Sequence, residues 1–284
     1  MVNAAPTALV FGEMLFDCYA EGHFLGGAPL NFAWGLRQFG FSVGMVSAVG
    51  RDTLGAEILE FLQHADIDAT HVLSGNAPTG TARVVQVDGE PQFTVQTNVA
   101  WDAIQLSLPM VYPELVYWGT AAQNTITNRA TLREILRLSP RHRFFDMNLR
   151  QHYYSDELIL NDLQNATIVK FNEHEWGIIK KITSSTSPAD LLKLFDIKVV
   201  AVTLGSKGAE LYNCSGVVRA TAPHALVVNT TGAGDAFSAA LAAGVLRGAA
   251  PPLILATACD AGAAVVAHQG AHVQFPVHIV EAFK

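Results

Sequence analysis

The sequence predicts an α/β protein built on a doubly wound, mainly parallel sheet with helices on both faces, and two observations carry that prediction. Short apolar runs recur along most of the 284 residues, and amphipathic segments of helical length separate them. Strands alternating with helices need crossover connections, which make neighbouring strands parallel and cover the sheet on both sides. Composition agrees, because hydrophobic residues make up 50% of the chain and charged residues 15%, as suits extensive buried helix and strand. A chain of this length holds one large α/β domain or two small ones.

In chain order, residues 8–11, 43–49, 115–118, 143–147, 167–171 and 198–204 read as buried strands. Residues 30–39, 53–64, 129–138 and 173–180 read as helices between them, each with the apolar spacing of its type. One segment breaks the alternation. Residues 81–87 and 92–97 are extended runs joined by Asp88-Gly89-Glu90-Pro91 with no helix between them, which predicts a small antiparallel piece standing off the main sheet. It is either a lid that excludes water from a site or an ordinary surface hairpin. Later, Ala225-Leu226-Val227-Val228 reads as a short buried strand and residues 236–246 as a helix of small and apolar residues. There is no internal repeat and no low-complexity linker.

Charge and cysteine usage exclude several classes. The formal net charge of −7 supplies no basic stripe for nucleic-acid phosphates. An anion bound here must be held locally by backbone N–H groups and a few cations. Cys18, Cys214 and Cys259 lie far apart without metal-ligand spacing, and the ten histidines are scattered along the chain, so reduced thiols and no zinc site are expected. The first dozen residues lack the basic start and apolar core of a signal peptide, and no stretch reaches the length of a membrane span. A cytoplasmic protein is the expectation.

The most informative stretch is Asn229-Thr230-Thr231-Gly232-Ala233-Gly234-Asp235-Ala236-Phe237, a glycine turn opening a helix. N–H groups at a helix start lack partners within the helix and carry partial positive charge, so the turn can hold a phosphate oxygen or a developing oxyanion. Asp235, projecting beside that anion, suits a proton acceptor or a metal-positioning group; an Asp that merely complements the helix dipole is the plainer alternative. Near the start, Leu25-Gly26-Gly27-Ala28-Pro29-Leu30-Asn31-Phe32-Ala33 repeats the glycine-turn-to-helix theme. Here the Asn31 amide can donate to and accept from a hydroxyl. Asp17 lies just beyond the first strand, where it can accept hydroxyl hydrogens. Together these residues suggest one sugar-sized site. Two competing motifs fail. A dinucleotide fingerprint would need glycine at Phe237, and the P-loop-like Gly35-Leu36-Arg37-Gln38-Phe39-Gly40-Phe41-Ser42 has Phe41 where lysine belongs. No Gly-x-Ser-x-Gly elbow marks a hydrolase.

The Gly-Gly-Ala-Pro-x-Asn and Thr-Thr-Gly-Ala-Gly-Asp segments resemble the two signatures of the PfkB, or ribokinase-like, family of carbohydrate kinases. Intermediate segments agree: Phe145-Asp146-Met147-Asn148-Leu149-Arg150 is similar to its Asp-x-Asn-x-Arg segment, Asn172-Glu173-His174-Glu175 to its Asn-x-x-Glu motif, and Thr203-Leu204-Gly205-Ser206-Lys207-Gly208-Ala209 to its nucleotide loop. The resemblance runs from about residue 8 to 275. Gly12-Glu13 and the Ala-Pro within the glycine motif look most like the fructokinase branch.

That resemblance implies a single kinase domain over 1–284, with lid elements near 13–25 and 78–100, phosphorylating a free sugar with ATP and Mg²⁺. Asp235 becomes the catalytic base, and the N–H groups of Gly232, Ala233 and Gly234 the anion hole. Asp17, Gly27, Asn31, Asn148 and Arg150 face the sugar, and Tyr117-Trp118-Gly119-Thr120 should line its pocket by position. Asn172, Thr203, Gly205, Lys207, Gly208 and Cys259 take the nucleotide side, while Glu175 holds Mg²⁺ through water. Asn229 stands where the second signature has Asp, which leaves the monovalent-cation site open. His268-Gln269-Gly270-Ala271 lacks the basic pair usual before Gly-Ala, and Cys259 replaces an amide or histidine. Fructose is the leading substrate. A nucleoside, a sugar phosphate, for which Arg83 and Arg150 are available, and a binding regulator without turnover are the alternatives. Homodimerisation through the lid stays open.

Overall fold

The protein, seen in a computed structural model, is described here for residues 6–19, 22–87, 90–106, 112–150 and 153–284. Asp88 and Gly89 of the expected hairpin turn, and residues 20–21 of the expected lid element, lie outside the described residues.

Among the described residues, the main sheet begins with β1 (Ala8–Phe11), flanked by β4 (Val43–Gly50) and β8 (Leu115–Trp118). Beyond β4 lies β5 (Asp68–Gly75); beyond β8 follow β9 (His142–Asp146), β10 (Ile168–Asn172) and β11 (Val199–Thr203). These seven strands pair in parallel. The antiparallel strands β12 (Ala209–Asn213) and β13 (Gly216–Ala220) complete one edge. Helices α1 (Ala28–Gln38), α2 (Thr53–His64), α7 (Ala233–Leu246) and α8 (Pro251–Val266) cover one face, over Val10, Tyr117 and Phe144. The other face carries α3 (Ile126–Leu136), α4 (Asp156–Asn165), α5 (Glu173–Thr183) and α6 (Asp190–Leu194), over Phe11, Trp118 and Phe145. Adjacent strand residues thus enter opposite cores, the period of two that buries a parallel strand on both sides. A short α9 (Val277–Val280) ends the order.

A second sheet holds β2 (Leu15–Tyr19), β3 (Gly22–Gly26), β6 (Gly80–Val87) and β7 (Glu90–Val95), in the order β3-β2-β6-β7. The expected hairpin is β6–β7, antiparallel as anticipated, but it does not stand alone. β6 pairs in parallel with β2, Leu15 facing Gly80, so the piece is a mixed four-stranded sheet. Residues 15–26 gave no strand signal because their runs are short and broken by glycine.

Two local readings are corrected. Residues 225–228 form no strand: Leu226 is 81% exposed, and the Val228 N–H donates to the Val266 carbonyl at the end of α8 rather than to a sheet partner. A four-residue apolar run carries too little pattern to tell a strand from a loop. The P-loop-like glycines are helical packing and a helix end. A Cβ on Gly35 would lie 2.6 Å from the Ala239 Cβ, so this glycine lets α1 approach α7, and Gly40 follows α1 with φ +83°.

Candidate active site

The chain runs from β1 through β4 to β5 on one side, then through β8 to β11 on the other. The strand order therefore reverses next to β1, where a crevice opens at the carboxyl ends of the strands and where doubly wound sheets bind ligands. Glu13 follows β1, while Asp146, Asn172 and Thr203 end β9, β10 and β11. Sheet geometry alone gathers these polar side chains along one rim.

Two cavities open there. One, of about 290 Å³, lies between the main sheet, the second sheet and the start of α7; Glu13, Asp17, Asn31, Arg150, Lys170 and Asp235 are on its wall. The other, of about 640 Å³, is bounded by Gly205, Gly208, His224, Val227, Phe237 and Cys259. They share Asn172, Thr203, Thr230 and Gly234. A larger groove of about 770 Å³ beside Arg37 and Asp66 is remote from these residues.

The start of α7 forms the partition. Gly232 caps it with φ +84°, and a Cβ there would sit 2.3 Å from the Ala271 Cβ, so only glycine fits. N–H groups of the first helical turn have no acceptor four residues back within the helix. Of the expected anion-hole donors, Ala233 is partly engaged, its N–H lying 3.3 Å from the Thr230 carbonyl. Gly27 performs a similar role at α1, with φ +103° and its would-be Cβ 2.6 Å from the Glu13 carbonyl oxygen.

Asp235 is buried, and the Asn31 Nδ2 donates to its Oδ2 at 2.8 Å. Burial first, then the charge of Asp146, pushes its carboxyl up to about 6, against the pull of Asn31, Lys170 and Arg150. Burial likewise lifts Asp17 to about 6 and Glu13 to about 7, with Arg150 opposing both. Behind Asp235 lies a buried ion pair, Lys170 Nζ to Asp146 Oδ1 at 3.1 Å. Ser238 Oγ donates to Asp146 Oδ2 at 2.7 Å, and the Tyr117 hydroxyl donates to the same oxygen at 3.2 Å. Although burial favours the neutral amine, Asp146, Glu175 and Asp235 raise the Lys170 pKa, so it stays a cation. It reaches the anion turn: a Cβ on Gly234 would be 3.0 Å from Lys170 Nζ.

Most expected site residues meet here. Asp17, Gly27, Asn31, Asn148 and Arg150 line the smaller cavity with Gly232, Gly234 and Asp235. Gly205, Gly208, Ala233 and Cys259 line the larger, and Asn172 and Thr203 line both. Three expectations meet a different geometry. Lys207 is on neither wall; its ammonium lies 3.6 Å from Glu173. Glu175 is buried and on neither wall, its carboxylate accepting the N–H of Leu149 at 2.7 Å and of Asn172 at 2.8 Å in a capping box at α5. Tyr117 and Trp118 do not line the smaller cavity: Tyr117 stacks on Phe32, and the Trp118 indole N–H donates to Asp162 at 3.2 Å. Strand residues buried on both faces point into the layers, not along the strand axis. Asn229 Oδ1 accepts the Thr231 N–H at 2.8 Å and so shapes the turn before the anion hole. Sequence reasoning gave no role to Glu13, Trp101 or Lys170. A lysine inside an apolar strand was the available signal for Lys170, because such a charge needs a buried partner.

A doubly wound sheet whose strand ends hold a polar cavity beside a glycine-lined groove, with a helix start between them, offers adjoining sites for two small molecules. The model of the pfkB family carbohydrate kinases matches residues 6–277, and the chain belongs to that family. It is 28% identical over 255 residues to the fructokinase of Escherichia coli, covering 83% of each chain. An uncharacterized sugar kinase of Pyrococcus horikoshii superposes with TM-score 0.85 at 23% identity over 98% of this chain and 99% of that one. A fructokinase of Vibrio cholerae, solved with fructose, ADP and calcium ion, superposes with TM-score 0.80 at 21% identity over 99% of each. The chain is thus an ATP-dependent sugar kinase.

Proposed function

We propose that this kinase phosphorylates a hydroxyl of a free sugar, fructose before others, by in-line transfer from ATP. The reading rests on the wall the two cavities share: Gly234 and Thr230 border both, and Asp235 faces the smaller one alone. Sugar in the smaller cavity and nucleotide in the larger bring an acceptor hydroxyl and a terminal phosphate together at the start of α7. Asp235 accepts the proton of that hydroxyl. Phosphoryl transfer passes through a loose transition state, so proton removal can come late and positioning dominates. The N–H groups of Gly232 and Gly234, with the Lys170 ammonium behind them, offset charge on the transferring group.

Mg²⁺ fits by a sparse donor set. Among the described residues no cluster of three or more His, Cys, Asp or Glu side chains could hold a metal, and Mg²⁺ commonly keeps waters and takes one or two protein ligands beside substrate phosphates. Asn172, on the wall of both cavities, is the residue that would hold it, with the buried Glu175 fixing the Asn172 backbone behind it. Bound with ATP, the ion neutralises phosphate charge. Asp17, Ala82 and Val95 of the second sheet line the smaller cavity, which supports its reading as a lid within one kinase domain. Cysteines free of disulfides suit a cytoplasmic enzyme.

Fructose is favoured over a sugar phosphate by the carboxyls of Glu13, Asp17 and Asp235 lining a cavity with few cations. ATP consumption across free sugars, sugar phosphates and nucleosides tests this. Fructose or another free hexose should give the highest kcat/KM; preference for a phosphorylated sugar or a nucleoside would replace the reading.

A further inference from the structure

Six buried side-chain atoms have no hydrogen-bond partner among the described residues, and three of them belong to residues on the wall of the smaller cavity: Glu13 Oε2, Asn31 Oδ1 and Trp101 Nε1. Buried polar atoms are almost always paired, and each left unpaired costs stability. Three such atoms, on residues that line one 290 Å³ cavity, point to a ligand that completes them with a small side-chain adjustment. Two are acceptors and one is a donor, the complement of a molecule rich in hydroxyl groups.

Asn31 belongs to the glycine signature and already holds Asp235. Glu13 does not have that excuse. It follows β1 and is 7% exposed, and its Oε2 has no hydrogen-bond partner among the described residues. The ionisable groups that act on it are Arg150, Asp235 and Asp146, with Tyr153 nearby. Burial first, and then the acids among them, disfavour the ionised carboxyl in the free protein. Glycine at 27 lets the main chain close against the Glu13 carbonyl, which fixes the Glu13 backbone at the cavity rim.

We propose that Glu13 is a specificity-determining sugar contact, its unpartnered Oε2 accepting the hydrogen of one sugar hydroxyl. The inference rests on the proposed sugar-kinase reading and names a contact within it. Anionic acceptors, such as sugar acids and sugar phosphates, meet this carboxylate as like charge, whereas a hydroxyl meets it as an acceptor. A hydrogen bond to a charged group is the stronger kind, and a site built around one rejects analogues that lack its partner.

The test uses Glu13→Met, close in volume and without an acceptor, assayed at pH 8 with the full chain. Sugar KM should rise at least about tenfold while ATP KM stays within about twofold. Without sugar, the variant should melt at or above the wild-type temperature because an unpaired buried carboxyl is gone, and the sugar-induced rise in melting temperature should shrink. Among monodeoxy analogues of the best sugar, the one penalised about tenfold or more with wild type should carry no such penalty with the variant. Wild-type turnover with unchanged sugar KM, or an equal deoxy penalty in both proteins, overturns the assignment of Glu13 alone. No sugar turnover by wild type overturns the sugar-kinase reading and this contact with it.

Discussion

Replacing Asp235 by Asn separates base chemistry from folding, because the structure predicts opposite effects on the two. Its carboxyl is moved from 3.8 to about 6; at about 1.4 kcal/mol per pH unit, the ionised form costs the folded protein about 3 kcal/mol at neutral pH. Asn31 Nδ2 donates to Oδ2 at 2.8 Å, and an amide oxygen can keep accepting it, with a loss of about 1 kcal/mol. The Asp235→Asn protein should therefore melt no lower than wild type. Its turnover should fall about 10² to 10⁴-fold, the range that positioned acid–base catalysis supplies. The ATP sites should be intact, since Asp235 lines only the sugar-side cavity. A coupled ATP-consumption assay, with nucleotide affinity by calorimetry and melting by fluorescence, reads all three. Turnover within about tenfold of wild type would remove Asp235 from the chemistry. Lost ATP affinity or a collapsed melting temperature would mean the aspartate is structural.

The carboxyl of Asp235 is raised to about 6, and the base form exists above that value. Activity should therefore fall as pH drops through about 6, and the residual rate of Asp235→Asn should lack this limb; a pH–rate profile of both checks it. Lys170→Met strips the partner from a buried Asp146, so chemical denaturation should register a loss of about 3–5 kcal/mol, with Lys170→Met/Asp146→Asn recovering much of it. An unchanged midpoint would refute the role of that pair. With a neutral amide at Asn229 turned to the Thr231 N–H, potassium should change the rate less than about twofold in a sodium-substitution assay. A large activation would contradict that expectation.

The central fold was legible because its signal is periodic. β1 and β8 appear at the residues where apolar runs placed them, and α2 at 53–64. α7 begins at Ala233, three residues before the expected start, since glycines at 232 and 234 hide helix onset from propensity. Strands of the second sheet were half legible: β6 and β7 alternate around a turn, whereas β2 and β3 need each other and β6 to be strands at all. Side chains named by motif gathered well, because Gly27 and Gly232 cap α1 and α7, and Asn31 and Asp235 follow within the helix starts that the sequence dictates locally. What stayed hidden depends on packing between distant segments. Lys170 and Asp146 are 24 residues apart, and Trp101 reaches the cavity from the segment between the sheets. Lys207 shows the converse: a lysine inside a nucleotide-like loop turned outward to Glu173, where its charge stays hydrated.

A crystal structure with fructose and a non-hydrolysable ATP analogue tests the shared wall most directly. The account predicts a sugar hydroxyl within hydrogen-bond distance of the Asp235 carboxylate, and the terminal phosphate on the N–H groups at Gly232 and Gly234. A sugar seated outside the cavity lined by Glu13, Asn31 and Asp235, or a terminal phosphate away from the start of α7, would contradict it.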